Sequence, residues 1–286
     1  MNDLLVVRPG PLTTVQDLGR HGVAHLGVPR AGALDRPALL AANRLVGNEP
    51  GAAALETTLG GVALRAAEPV VIAVTGAAAP VRVAGRPAAW GAAVAVPAGG
   101  LVEVGAATHG VRSYLAVAGG IAVPEQFGSR SADLLSGLGP APLATGDVLP
   151  VGPAARSHPA VDVVPLPAPP TELVLRLRPG PRADWFTAEA LAALPRQRYL
   201  VASASNRIAL RTEGPPLPRA RTGELPSEGM VLGAVQVPPD GRPVVFLADH
   251  PTTGGYPVVG VVPAADLAAA AQARPGTPVR FVLLRG

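Results

Sequence analysis

The feature that most restricts this chain is the brevity of its apolar runs. "LLVVR", "VALRAA", "PVVIAVTG", "VRVAG", "AVAVP", "LVEVG" and "RSYLAVAG" follow one another through the first 120 residues, each closed by glycine, proline or charge. Runs this short are strand-sized, and their close spacing leaves no room for the crossover helices of alternating βαβ units. They predict an antiparallel barrel or sandwich. The 34 glycines and 34 prolines fall between the runs, where turns are needed, and not in one low-complexity block.

One segment breaks the pattern. "LDRPALLAANRLVGN" predicts a helix that Asp35 caps and Pro37 opens. Leu39, Leu40, Asn43 and Val46 fall near one face, and Gly47 ends the helix in a left-handed conformation. Later, "VGPAARSHPAVDVVPLPAPPTE" crowds prolines together and loses all periodicity, which predicts a boundary. The expected domains are residues 1–160 and 170–286. The chain restarts with "ELVLRLRPGP", whose Arg178-Pro179-Gly180-Pro181 echoes Arg8-Pro9-Gly10-Pro11 after the first strand. The echo hints at two similar domains. In the second half, "RYLVASAS" and "RIALRT" are strand-like, and "MVLGAVQVPPDGRPVVFLADH" predicts a hairpin turning at Pro239-Asp240-Gly241. Helices are expected at "DWFTAEALAAL" and "AADLAAAAQA", and a closing strand at "PVRFVLLR".

Composition removes whole classes of chemistry. The chain has no cysteine, so thiolate nucleophiles, disulfides and cysteine zinc sites are excluded. It has no lysine either; all 24 basic residues are arginine. A P-loop lysine, a lysine Schiff base and a biotinylated lysine are therefore impossible on this chain. A 48% hydrophobic, 15% charged composition excludes disorder. The net charge is only +4, and no basic run carries interleaved aromatics, so no nucleic-acid partner is expected. The start "MNDLLVVRPG" is unlike a signal peptide, and no run approaches the roughly 20 apolar residues of a membrane span. A soluble cytoplasmic protein without a membrane partner is expected.

Four polar loops beside apolar strands are the candidates for chemistry. "TTVQDLGRHGVAHLGVPRAGALD" offers Thr14, Gln16, Asp17 and Arg20 among glycines. Arg20 is suited to a two-point grip on a carboxylate or phosphate, or to a turn-stapling pair with Asp17. His21 and His25 have metal-ligand spacing only on a helix, which Gly19, Gly22 and Gly27 oppose, so no metal is expected. In "GSRSADLLSGLG", Ser129, Arg130 and Ser131 present hydroxyls and a guanidinium to an anion, or Ser131 caps a short helix through Leu134 and Leu135. In "SASNRIALR", Asn206 and Arg207 either bind a polar ligand or stabilise a bend. The fourth candidate joins "SEGMVLGAVQVPPDG" to "LADHPTTGGYP". Here Gln236 and Asp249 are expected on paired strands, pointing the same way. Asp249, desolvated at a strand end, is the candidate general base, and Tyr256 a donor to a developing oxyanion. Thr252 and Thr253 add hydroxyls, and Gly254-Gly255 suit an anion-binding backbone nest. Asp, Thr and Gly-Gly are equally ordinary turn residues.

These loops carry a resemblance. "TTVQDLGRHGVAHLGVPRAGALD…AANRLVGN", "AVAGGIAVP…GSRSAD" and "SEGMVLGAVQVPPDGRPV…D…TTGGYP", in that order, resemble the allophanate hydrolase subunit 2 family, also called the biotin-dependent carboxyltransferase or KipA-like family. The resemblance runs from Val7 to Phe281. Pro251 stands where members often have glutamine, and Ala209 where they often have glycine. It implies a mainly β fold of two cyclophilin-like β-barrel domains with a few short helices. It also implies one component of a larger enzyme: the C subunit of an ATP-dependent 5-oxoprolinase, which opens the lactam of 5-oxo-L-proline to L-glutamate. The implied partners are the other two components, one KipI-like and one LamB/YcsF-like. Asp249 and Tyr256 then fall to catalysis, and Thr14, Gln16, Asp17, Arg20, Gln236, Thr252, Thr253, Gly254 and Gly255 to binding a small amide. ATP is the implied cofactor. Two alternatives remain: half of the carboxyltransferase domain of a biotin-dependent urea or amide carboxylase, with biotin on a partner, and a KipA-like regulatory protein that antagonises a KipI-like kinase inhibitor.

Overall fold

The computed structural model describes residues 3–154, 163–165, 171–221, 223 and 225–284. The chain is mainly β and groups into two compact units. Unit 1 comprises Met1–His21, Ala31–Asp133 and Gly137–Pro169; unit 2 comprises Gly22–Arg30, Leu134–Ser136 and Pro170–Gly286. The proline-rich stretch expected as the break, residues 155–170, lies almost wholly outside the described residues.

Unit 1 contains β1 (Asp3–Arg8), β2 (Leu12–Gln16), α1 (Arg36–Leu45), β3 (Ala54–Thr58), β4 (Ala63–Ala66), β5 (Val70–Gly76), β6 (Val81–Val83), β7 (Arg86–Ala88), β8 (Ala93–Val96), β9 (Leu101–Val104), β10 (Arg112–Val117) and β11 (Val148–Pro150). They form a six-stranded sheet, β11-β1-β4-β9-β6-β7, and a five-stranded sheet, β2-β3-β10-β5-β8. Alternation decides what each strand buries. Leu4 and Val6 of β1 point inward while Leu5 and Val7 are exposed. With Val15, Leu55, Leu64 and Leu115 they belong to one core fed by both sheets. Burying each such side chain stabilises the fold by about 1.5–3 kcal/mol.

The opposite face of the five-stranded sheet carries α1. Asp35 Oδ1 accepts from Ala38 N at 3.1 Å, and Pro37 sits in the first turn. Leu39, Ala42 and Leu45 pack on Ala54, Ala73 and Ala116, small residues that let the helix approach the sheet. Asn43 and Val46 are buried as expected, whereas Leu40 is only half-buried; Ala42 fills the face instead. Gly47 ends the helix at φ 73°.

Unit 2 contains β12 (Leu173–Pro179), α2 (Ala188–Ala193), β13 (Tyr199–Val201), β14 (Ala209–Glu213), β15 (Glu228–Gly229), β16 (Ala234–Gln236), β17 (Val244–Phe246), β18 (Thr253–Gly254), β19 (Val258–Val261), α3 (Ala264–Gln272) and β20 (Pro278–Leu283). Seven of its strands close a barrel, β12-β19-β16-β17-β14-β13-β20, sealed by a parallel β12–β20 pair. β12 shows why: in "LVLRLRP", Leu173, Leu175 and Leu177 fill the barrel while Val174, Arg176 and Arg178 face outward. Tyr199 and Phe281 meet edge-to-face inside it, with ring centroids 5.7 Å apart. Burial pushes the Tyr199 phenol up to about 12. The β16–β17 hairpin turns where expected, with Gly241 N bonded to Pro238 O at 2.9 Å.

The Arg-Pro-Gly-Pro echo has a shared structural use. A Cβ on Gly10 would lie 2.6 Å from Gly60 O, and one on Gly180 would lie 2.6 Å from Val258 O. In each unit the first long strand leaves its sheet at a glycine pressed against a neighbouring carbonyl.

Candidate functional site

In unit 1, β2 alternates so that Thr14 and Gln16 share the α1 face, while Val15 enters the core. The register places Thr14 beside Glu56, Glu56 beside Tyr114 and Tyr114 beside Thr75, a polar row across four strands. All four are buried. The Tyr114 hydroxyl donates to Glu56 Oε2 at 2.7 Å and accepts from Asp35 N at 2.7 Å. Leu34 N also donates to Glu56 Oε2, at 3.0 Å. Burial, with Glu56 and Asp35 close by, holds the phenol well above its usual pKa. The row fixes the entry to α1. Sequence reasoning missed Glu56 and Tyr114, although polar residues alternating within apolar strands are the pattern that marks them.

Gln16 donates from Nε2 to Thr14 Oγ1 and to Ala132 O, each at 3.0 Å. Asp17 is a hub. Its Oδ1 accepts from Gly19 N at 2.8 Å, Ser129 Oγ at 2.6 Å and Ser131 Oγ at 2.5 Å. Its Oδ2 accepts from Arg130 N at 2.6 Å. The serine hydroxyls therefore go to the carboxylate of Asp17, and no helix follows Ser131 to be capped. Their loop also closes the outer edge of β2, through Ala132 N to Val15 O and Leu143 N to Thr13 O, both 2.9 Å. Arg20 is buried and donates to Ser131 O at 2.7 Å and Gln126 O at 3.2 Å. These two bonds staple the 126–131 loop; the sequence suggested an anion grip or a pair with Asp17.

In unit 2, β16 and β17 pair Gln236 with Val244. Asp249 lies beyond the end of β17, so it is not on the strand paired with that of Gln236, contrary to expectation. Its partner is Arg207, which donates from Nε to Oδ2 at 2.9 Å and from Nη2 to Oδ1 at 2.8 Å. The side chains are 1% and 0% exposed, a fully buried ion pair. Leu134 N adds a bond to Asp249 Oδ2 at 3.2 Å. Asp249 is thus desolvated as expected, and the Arg207 guanidinium engages both of its oxygens. Asn206 stabilises a bend: its Oδ1 accepts from Ile208 N at 2.9 Å.

Beyond Asp249, the loop opens. Thr253 and Tyr256 are exposed, and Thr252, Gly254 and Gly255 are half-buried. β18 pairs with β15, bringing Glu228 opposite Gly254. Neither Gly254 nor Gly255 has positive φ, so the alternating backbone of an anion nest is not formed. Gly254 is needed for a close approach instead: a Cβ there would lie 2.8 Å from Gln236 Nε2. That Nε2 donates to Tyr256 O at 3.2 Å, fixing the loop. Arg219 lies over the Tyr256 ring, 5.9 Å from its centroid. Arg219 had no sequence signature. Among the described residues no group of three or more His, Asp or Glu is placed to hold a metal ion. Nor is any helix among them long and apolar enough to cross a membrane.

The family model described as carboxyltransferase domain, subdomain A and B, matches residues 26–283. The chain belongs to this carboxyltransferase-domain family. Within it, the chain is 40% identical to the 5-oxoprolinase C subunit of Escherichia coli K12, over 98% of this chain and 90% of that protein. It is 33% identical to urea amidolyase of Lachancea kluyveri, covering 97% of this chain but 17% of that protein. The crystal structure of TTHA0988 superposes with a TM-score of 0.90 at 39% identity, over 99% of this chain and 56% of that one. The chain thus spans about half the length of that solved relative, and the family fold recurs inside longer polypeptides.

Proposed function

We propose that this chain serves as the C subunit of an ATP-dependent 5-oxoprolinase. The observation that carries the proposal is the 40% identity to the E. coli C subunit over nearly the full length of both proteins. The reaction is 5-oxo-L-proline + ATP + 2 H2O giving L-glutamate + ADP + phosphate. An unstrained amide resists water, so transfer of the γ-phosphoryl group to the lactam oxygen supplies a better electrophile. One water then adds at that carbon and the ring C–N bond breaks, leaving an acyl phosphate, which a second water hydrolyses to the L-glutamate carboxylate and phosphate. Any ATP held by this chain is held without a P-loop lysine, since the chain has none, and ATP is otherwise bound with the partner subunits. A KipI-like partner and a LamB/YcsF-like partner complete the assembly.

The division of labour we propose follows from the geometry. Thr252, Thr253 and Tyr256, on the open loop, are assigned to substrate contact, with Gly254 and Gly255 letting a ligand approach the backbone. Asp249, Asp17, Arg20, Gln16 and Gln236, engaged with other protein groups, are assigned to positioning that loop and the 126–133 segment. The urea amidolyase relatives support a second reading, carboxyl transfer to an amide. It requires biotin on another chain, because biotin is carried on lysine.

Co-expression with the KipI-like and LamB/YcsF-like partners, followed by assay of ATP-dependent glutamate release, tests the proposal. The full complex should release glutamate from 5-oxo-L-proline, and the isolated chain should not. A complete complex that is inert on 5-oxo-L-proline but carboxylates urea in the presence of a biotinylated carrier would replace the first reading with the second.

A further inference from the structure

The arginines around the open loop of unit 2 differ in one respect. Arg182 pairs with Glu228, and Arg221 pairs with Asp184 at 2.7 Å. Arg219, between them in the chain, pairs with no carboxylate among the described residues. Its Nη2 donates to Val237 O, while its Nε is buried with no acceptor among those residues. The other compensation is the Tyr256 ring beneath the guanidinium. A half-buried cation loses hydration, and a ring face recovers only part of that loss.

Both members of the pair are fixed in place. Ala220 N bonds Trp185 O at 2.8 Å, and Phe186 bridges to Arg219 through the backbone, so the arginine's main chain is anchored. Gln236 Nε2 holds Tyr256 O, and Val237 N bonds Pro257 O at 3.0 Å, so the phenol's main chain is anchored too. Tyr256 is nevertheless 44% exposed. A guanidinium with no counter-ion among the described residues, against the ring of a phenol exposed on the same loop as the Thr252 and Thr253 hydroxyls, has the composition of an oxyanion receptor.

We propose that Arg219 and Tyr256 form an oxyanion subsite that takes the carboxylate or phosphate of a ligand lying on the Thr252–Tyr256 loop. That the ligand is the substrate of the amide-opening reaction rests on the function proposed above; the anion site itself does not. The sequence suggested a similar role for Arg20, whose Nε and Nη2 donate to Gln126 O and Ser131 O.

The test uses Arg219→Gln and Arg219→Lys in the full chain and in the reconstituted complex. Ligand-observed NMR on the full chain compares 5-oxo-L-proline, 2-pyrrolidinone, which lacks the carboxylate, and inorganic phosphate. Arg219→Gln should weaken 5-oxo-L-proline binding about 10-fold or more, the scale of a lost charge-assisted bond, and leave 2-pyrrolidinone unchanged. In the complex the KM for 5-oxo-L-proline should rise in step. If instead phosphate binding and the KM for ATP carry the loss, the subsite is a phosphate site. If Arg219→Gln binds all three probes as the wild type does, the proposal is overturned. Should Arg219→Gln fail to fold, Arg219→Lys decides: it keeps the charge but not the planar fork, so weakened anion binding supports the subsite and unchanged binding overturns it. A wild-type complex inert on 5-oxo-L-proline, with anion binding still sensitive to Arg219, would sink the substrate assignment and leave the subsite standing.

Discussion

At the scale of single residues, the acidic groups divide by how many partners they satisfy. Asp17 accepts four hydrogen bonds. Asp249 accepts two from one guanidinium plus Leu134 N. Each holds together segments distant in sequence. The Arg207–Asp249 pair is the harder to disturb, because removing one partner strands a buried charge. Asp249→Asn should therefore destabilise the protein by about 3–5 kcal/mol, read as a large fall in melting temperature. A catalytic base on a sound scaffold would behave otherwise, losing rate at an unchanged melting temperature. The sequence could name Asp249 and Arg207 as unusual, since charged residues beside apolar runs stand out. It could not pair them, because pairing across 42 positions depends on how β14 meets β17.

At the scale of elements, strands and helices were legible because period and punctuation are local. Asp35, Pro37 and Gly47 delimit α1 as their chemistry requires, and Pro239-Asp240-Gly241 turns the hairpin. Closure of the barrel was not legible in the same way. It depends on a parallel pairing of β12 with β20, more than 100 residues apart, and no short-range pattern reports that. Helix α3 shows how such an element is fastened. Asp266, in its first turn, accepts from Arg176 N at 2.9 Å and from the Arg176 guanidinium. The side-chain hydrogen bonds from Arg176 hold the Asp266 carboxyl below its usual pKa. A depressed carboxyl stabilises the fold above its unfolded pKa of 3.8, and that stability drains away as pH falls through the lower folded value. Acid titration followed by circular dichroism should show Asp266→Asn less pH-dependent than wild type below pH 3.8. The effect will be modest, because the Arg176 side of the pair is open to solvent and screened.

At the scale of the whole molecule, both units bury a tyrosine whose phenol is held above its ordinary value, Tyr114 under α1 and Tyr199 in the barrel. Folding favours the neutral phenol in each. Stability is then full below the unfolded pKa of 10.0 and is lost as pH rises, for Tyr199 through about 12. Thermal melts between pH 9 and 12 should show a progressive fall, and Tyr199→Phe should reduce its slope. An alkaline profile identical in wild type and Tyr199→Phe would exclude this source. The division of the chain carries a practical consequence as well. The second unit takes in Gly22–Arg30 and Leu134–Ser136 from the first half of the sequence. A gene fragment starting at residue 170 would encode the barrel without those pieces, and with them would go the Leu134 amide that Asp249 accepts from. Anyone wishing to express the barrel by itself should expect to supply the missing stretches on a second polypeptide, as in fragment complementation.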